Sequence, residues 1–257
     1  MIIDAHVHID LNRFKDIKRA CAEVIREMNK AGIDKAVLMP DNHLNKNNHL
    51  EEACRLFSDR FYRFGMVDPK QPKKKIKRDI DKLIVQKKCK GIKIHPRTQK
   101  FTLKDPGVFH IAHYIGLHKL PLVIDCLPVF KFVSLDERTY PNAFDELAKE
   151  NASTNIIIAH MGGHRLMDAF GVAMGNPNIY LDVSYTFYFY KNSSVEKDMA
   201  FSVKKLGSNR IIYGSDHPGI GMYDGFKLFN KFCKHYKLDD NTKANMFSKN
   251  ISELIHI

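Results

Sequence analysis

His6 and His8 lie two residues apart in the apolar run Met1-Ile2-Ile3-Asp4-Ala5-His6-Val7-His8. Side chains two apart on a strand share a face, so both imidazoles project the same way. Two imidazoles aimed together beside a carboxylate are best suited to holding a cation. Zinc accepts nitrogen and oxygen ligands and keeps one position open in catalytic sites. Water bound there loses a proton near neutral pH and becomes a usable nucleophile. An isolated H-x-H pair is weak evidence for such a site. Here it gains weight from His95, Asp125, His160 and Asp216, each of which ends or follows another short apolar run.

Those runs must be strands if they are to position the polar residues together. Candidate strands cover residues 1–8, 35–40, 61–67, 91–95, 121–126, 155–160, 178–183 and 210–215. Between and after them come helical patterns at 16–30, 49–58, 73–86, 105–117, 142–151, 164–174, 195–206 and 224–235. Strictly alternating strands and helices imply a parallel sheet, because each parallel neighbour needs a crossover. Runs such as Ile156-Ile157-Ile158 are continuously apolar, as strands buried on both faces should be. Gly32 and Gly207 stand where left-handed helix stops belong. No glycine-rich phosphate loop follows the first strand, which weakens a dinucleotide-binding alternative. Eight pairs in order predict a (β/α)₈ TIM barrel, one α/β domain over residues 1–257. In such a barrel the C-terminal strand ends form the active mouth. That is where His6, His8, His95, Asp125, His160 and Asp216 all fall.

Composition bounds the function classes. Apolar residues make up 44% and charged residues 27% of the 257, ordinary for a folded enzyme-sized domain. No run of 18 apolar residues is present to span a membrane. The first residues show no secretory leader, so the expected location is cytoplasmic. Five scattered cysteines without a C-x-x-C pair fit reduced thiols and not a disulfide framework. The net charge of +12 is concentrated in lysine runs at 70–78 and 87–90. Attraction to anions is one consequence of such a field, but a solvated helix face is the plainer one.

The chain resembles the amidohydrolase superfamily, specifically its family-2 branch of hydrolases and decarboxylases. The resemblance runs in order through Asp4-Ala5-His6-Val7-His8, Gly91-Ile92-Lys93-Ile94-His95-Pro96, Leu120-Pro121-Leu122-Val123-Ile124, Ile158-Ala159-His160-Met161-Gly162-Gly163, Asn178-Ile179-Tyr180-Leu181-Asp182 and Tyr213-Gly214-Ser215-Asp216-His217-Pro218, and extends to the tail Asn250-Ile251-Ser252-Glu253-Leu254. It implies one divalent metal ion, zinc first and manganese second, with His6 and His8 as ligands. Asp216 would be a further ligand or the base that takes a proton from water. His160 would polarise the substrate or shuttle a proton. One position departs, because this branch usually places a histidine where Asp125 stands. Aspartate still binds zinc and shifts preference toward harder ions, so Asp125 is expected as a ligand, or failing that as an orienting group.

Other residues carry weaker expectations. His95 could contact substrate or brace the site, and Arg97 could clamp a carboxylate or lie on the surface. Asp4 is expected to brace the first strand. His217 could line the pocket or turn the chain. The segments 127–140 and 185–192 could wall the substrate. The leading function is metal-dependent hydrolysis of a small amide, ester or lactone. Alternatives are non-oxidative decarboxylation of an aromatic or unsaturated acid, phosphoester hydrolysis, and a barrel that has lost its metal and its catalysis. The expected partner is a small molecule, with anionic ones among the candidates. Nucleic acid and membrane are disfavoured, and a homodimer is allowed.

Overall fold

The computed structural model describes residues 1–41, 46–127, 138 and 140–257. Eight short strands are all parallel: β1 (Ile3–Val7), β2 (Lys35–Leu38), β3 (Phe61–Arg63), β4 (Ile92–Ile94), β5 (Leu122–Ile124), β6 (Ile156–Ile158), β7 (Ile179–Asp182) and β8 (Ile211–Ile212). They pair in chain order within two arcs, β1 to β3 and β4 to β8. Bridges from Gly65 to Ile92 and from Val7 to His217 join the arcs. Two further bonds fix the second junction: Ala5 N–H donates to Tyr213 O at 3.1 Å and Asp216 N–H to His6 O at 2.9 Å. The result is a closed (β/α)₈ barrel.

Around it stand α1 (Ile17–Ala31), α2 (Asn47–Leu56), α3 (Lys73–Asp81), α4 (Pro106–Leu117), α5 (Ala143–Glu150), α6 (Leu166–Gly175), α7 (Ser194–Leu206) and α8 (Met222–His235). Asp16 caps α1 by accepting from Arg19 N–H, and Gly32 closes it at φ 71° in the left-handed region. Gly207 differs from the expected stop. Its φ of 87° is positive but its ψ is 143°, so it leads the chain out into the short turn Ser208–Arg210. The pattern read as one helix over 73–86 is α3 followed by a wider turn at Lys82–Gln86, with Lys87 N–H reaching back to Lys82 O.

Two kinds of core follow from the alternation of side chains on the strands. Ala36, Leu38 and Val7 pack outward against α1 and α2, and Ile92, Leu122, Ile156 and Ile211 pack outward under the remaining helices. Val37, Val123, Ile157 and Ile212 pack inward with Ile3 and Ala5. The last helix, Asn250–Ile255, adds Ile251, Leu254 and Ile255 to this inner cluster. It sits at the N-terminal end of the barrel, where His256 contacts Lys119 just before β5. The register of β1 shifts between Asp4 and Val7, a bulge of the kind that re-aims side chains beside active sites.

Within segment 127–140, residues 128–137 and 139 lie outside the described residues, as does His43. Residues Thr186–Phe189 of the aromatic segment form a short helix. Among the described residues no helix is long and apolar enough to cross a membrane.

Gly214 shows how tightly β8 is drawn against β1. A Cβ there would sit 2.5 Å from His6 Cβ and 3.0 Å from His6 N. Gly214→Ala must therefore push β1 and its histidines aside. We expect a loss of about 1–3 kcal/mol in urea unfolding, the usual scale of overpacking. A loss below about 0.5 kcal/mol would show that the junction yields freely.

Candidate active site

His6 is fully buried, and its Nδ1–H donates to Asp182 Oδ2 at 2.6 Å. His8 donates Nδ1–H to Met39 O at 2.9 Å. Each ring has thus committed one nitrogen to the scaffold, which fixes the tautomer and leaves Nε2 as the acceptor. Both Nε2 atoms face Asp216, whose Oδ1 is 3.5 Å from that of His6 and 3.6 Å from that of His8. Donor atoms of these three residues lie within 4.8 Å of one another, the one such group of three among the described residues. Burial lowers the pKa of both imidazoles, His8 most strongly, and the positive charge of Lys93 adds to it. Both are therefore neutral near pH 7, the form a metal requires. The donor set fits a divalent ion.

Asp125 lies to one side of this group. Its carboxylate accepts from Arg97 Nη2 at 3.3 Å, and His160 Nε2 stands 3.3 Å away. His160 donates Nδ1–H to Ser184 O at 2.9 Å. Burial pushes the His160 pKa down, but the Asp125 carboxylate, with Asp216 and Asp182 behind it, outweighs that and raises it. Burial likewise opposes ionisation of Asp125, yet His160, His95 and Lys93 together hold it well below the usual carboxylate range. The raised pKa of His160 beside the lowered one of Asp125 favours an imidazolium–carboxylate pair. His95 Nε2–H donates to Pro40 O at 2.9 Å, and burial first, then the Lys93 charge, lowers its pKa to about 4.

Backbone geometry serves the same end. His160 and Asp216 both hold positive φ, 56° and 64°, a region that non-glycine residues adopt at some cost. Thr186 Oγ1 donates to the His160 carbonyl at 2.8 Å, and Gly219 N–H donates to that of Asp216 at 2.8 Å. Asp4 braces β1 as expected: Oδ1 accepts from His6 N at 3.2 Å and Ser215 N at 2.9 Å. His217 lies beside Glu27, Asp10 and Glu23 and not on the pocket wall.

The mouth is a pocket of about 280 Å³ lined by His8, Asp41, Lys93, His95, Arg97, Asp125, His160 and Asp216, with Thr98, Leu127, Pro218 and Gly219. A larger groove of about 810 Å³ runs along α8 beyond Gly219 and contains none of the imidazoles or carboxylates just described. It is an open channel between surface lysines, whereas the smaller pocket gathers the imidazoles and carboxylates.

Sequence reasoning missed Lys93, Asp182, Ser184 and Asp41. Lys93 is 1% exposed, with Nζ donating to His6 Nε2 at 2.6 Å. The signal was available, since Lys93 precedes His95 by two and must share its face. Asp182 was equally legible as the carboxylate that ends β7. Ser184 donates Oγ–H to Asp182 Oδ2 at 2.8 Å.

The sequence model of the amidohydrolase family matches residues 3–257. No curated protein matches the chain in sequence. Solved structures superpose over nearly all of it. An uncharacterised TIM-barrel protein from Bordetella bronchiseptica is 14% identical with a TM-score of 0.82, covering 99% of this chain and 98% of that one. A 5-carboxyvanillate decarboxylase from Novosphingobium aromaticivorans, complexed with manganese and a nitrobenzoic acid, is 18% identical with a TM-score of 0.73, covering 100% and 96%. A probable 2-pyrone-4,6-dicarboxylic acid hydrolase from Acinetobacter baumannii is 15% identical with a TM-score of 0.71, covering 100% and 99%.

The burial of His95 has a consequence for stability. Its folded pKa, about 4, lies below the ordinary 6.5, so the unfolded chain takes up that proton first. The stability from neutral His95 is complete above pH 6.5 and is lost as pH falls toward 4. Between about pH 7 and pH 5 the wild type should lose about 2 kcal/mol more than His95→Asn in urea unfolding. Equal losses would mean that His95 does not carry this proton linkage.

Proposed function

The chain belongs to the amidohydrolase family, and from that premise we propose that it is a metal-dependent hydrolase of a small, anionic carbonyl compound such as an ester, amide or lactone. The observation that carries this reading is the pair of neutral imidazoles, each with Nδ1 anchored and Nε2 turned to Asp216. His6, His8 and Asp216 would hold a divalent ion, which would supply Lewis acidity and lower the pKa of nearby water. Zinc suits the nitrogen-rich donor set first. Manganese is the second candidate, and its presence in the decarboxylase from Novosphingobium aromaticivorans supports that.

The side chains divide the remaining work. Asp216 accepts the proton that water releases and returns it to the leaving group. His160, kept protonated by Asp125, offers Nε2–H to the oxygen on which negative charge develops. Arg97, itself 10% exposed at the side chain, can exchange part of its bond to Asp125 for a substrate carboxylate. We assign Asp125 to His160 and Arg97, since both bond to it, and not to the ion. The pocket of about 280 Å³ limits the substrate to a small molecule.

Decarboxylation is the second reading, favoured by the same His160–Asp125 pair. An imidazolium aimed into the pocket can deliver a proton to carbon as carbon dioxide departs. Several structural neighbours are decarboxylases by name, which supports keeping it in view.

The test has two parts. The natively purified chain should carry about one zinc or manganese per molecule, and His6→Ala with His8→Ala should lose it while circular dichroism stays unchanged. Retained metal in that double variant would overturn the ligand assignment. Against a panel of small carboxylated lactones, esters and aromatic acids, Asp216→Asn should reduce turnover by about a hundredfold or more. Product mass then separates the readings, because hydrolysis adds water and decarboxylation removes carbon dioxide.

A further inference from the structure

Lys93 is a buried cation at an interior position of β4, in register with Val123 of β5. Its Nζ lies 2.6 Å from His6 Nε2. With Nδ1–H committed to Asp182, Nε2 is the ring's only lone pair. The lysine's hydrogen bond uses that lone pair, and so would a metal–nitrogen bond of about 2.0–2.1 Å. One lone pair cannot serve both, so the two contacts exclude each other. Burial lowers the Lys93 pKa, and the carboxylates of Asp125, Asp216, Asp182 and Asp41 oppose that and favour the ammonium. As the ammonium it balances negative charge that a divalent ion would balance.

From this geometry we propose that Lys93 is a tethered cation that competes with the metal ion for His6, so that the barrel's own side chain sets how tightly the ion is held. The inference rests on His6, His8 and Asp216 being an ion site. Seating the ion requires Lys93 Nζ to leave His6, and the pocket that Lys93 lines with Asp41 and Asp125 provides the destination. Released there, the ammonium joins Arg97 on the wall that would receive an anionic substrate. Metal loading and anion binding are then coupled through one side chain.

Isothermal titration of chelator-treated protein with Mn²⁺ and with Zn²⁺ tests this. Lys93→Met should bind each ion about tenfold tighter than wild type, the scale of one charge-assisted hydrogen bond removed from competition. Equal affinity would overturn the proposal. Weaker affinity would also overturn it, by making Lys93 a helper of the ion. If neither protein binds either ion, the metal reading of the whole site falls and this inference with it. Lys93→Gln, with a neutral polar end of similar length, provides the same comparison should the methionine variant fail to fold. Wild-type protein labelled with ¹³C-lysine gives an independent readout. Addition of Zn²⁺ should shift a single buried lysine ε-carbon resonance, and a spectrum unchanged by bound Zn²⁺ would rule out the displacement.

Discussion

The constraint on which the mouth of this barrel depends is the burial of carboxylates. Asp125 and Asp182 are nearly inaccessible, and Asp216 stands beside them with its side chain 13% exposed. An ionised carboxylate removed from water costs several kcal/mol unless a cation or a set of hydrogen bonds meets it. Two of them are met directly. Asp182 receives His6 Nδ1–H, Ser184 Oγ–H and Ser184 N–H, and Asp125 receives Arg97 beside His160. Asp216 faces two imidazole lone pairs, which repel it unless something positive lies between or beside them. Lys93, whose Nζ lies 2.6 Å from His6 Nε2, is the nearest such group.

Much of this was legible in the sequence, because a parallel barrel translates linear order into spatial order. Five of the eight strands, β1, β4, β5, β6 and β8, bury both faces, so they advertise themselves without periodicity. A polar residue that ends such a run has one destination, the C-terminal mouth. His6, His8, His95, Asp125, His160 and Asp216 were found by that rule, and all six lie at the mouth. Asp182 ends β7 by the same rule and was passed over among its apolar neighbours. Lys93 escaped for a different reason. Lysine is so seldom fully buried that one inside a strand invites reading as a solvated edge.

What the sequence could not carry is pairing. Asp125 is expected as a ligand because histidine usually occupies its place, and its proximity to Arg97 and His160 is visible only in three dimensions. The bond from His6 to Asp182 spans 176 residues, and no local pattern reports it. Helix ends failed in smaller ways. Gly207 has the residue type of a left-handed cap but an extended ψ, since the chain must turn at once into the 208–210 segment before β8.

The four imidazoles of the mouth show how one residue type is driven to two protonation states within a single pocket. His6 and His95 are buried and His8 is partly covered, its side chain 16% exposed; in all three, desolvation and the like charge of Lys93 act together to keep the ring neutral. His160 is just as buried, but Asp125 lies against its Nε2, and attraction overcomes desolvation. Neutral rings can ligate; a charged ring can donate. A histidine in place of Asp125 would remove the anion that holds the proton on His160 and leave Arg97 without its partner. The departure at Asp125 therefore touches more than one contact, because Arg97 and His160 both meet that carboxylate. Two walls of opposite acid–base character around one small cavity are what hydrolysis and decarboxylation both need, and they arise here from where four aspartates and one lysine sit.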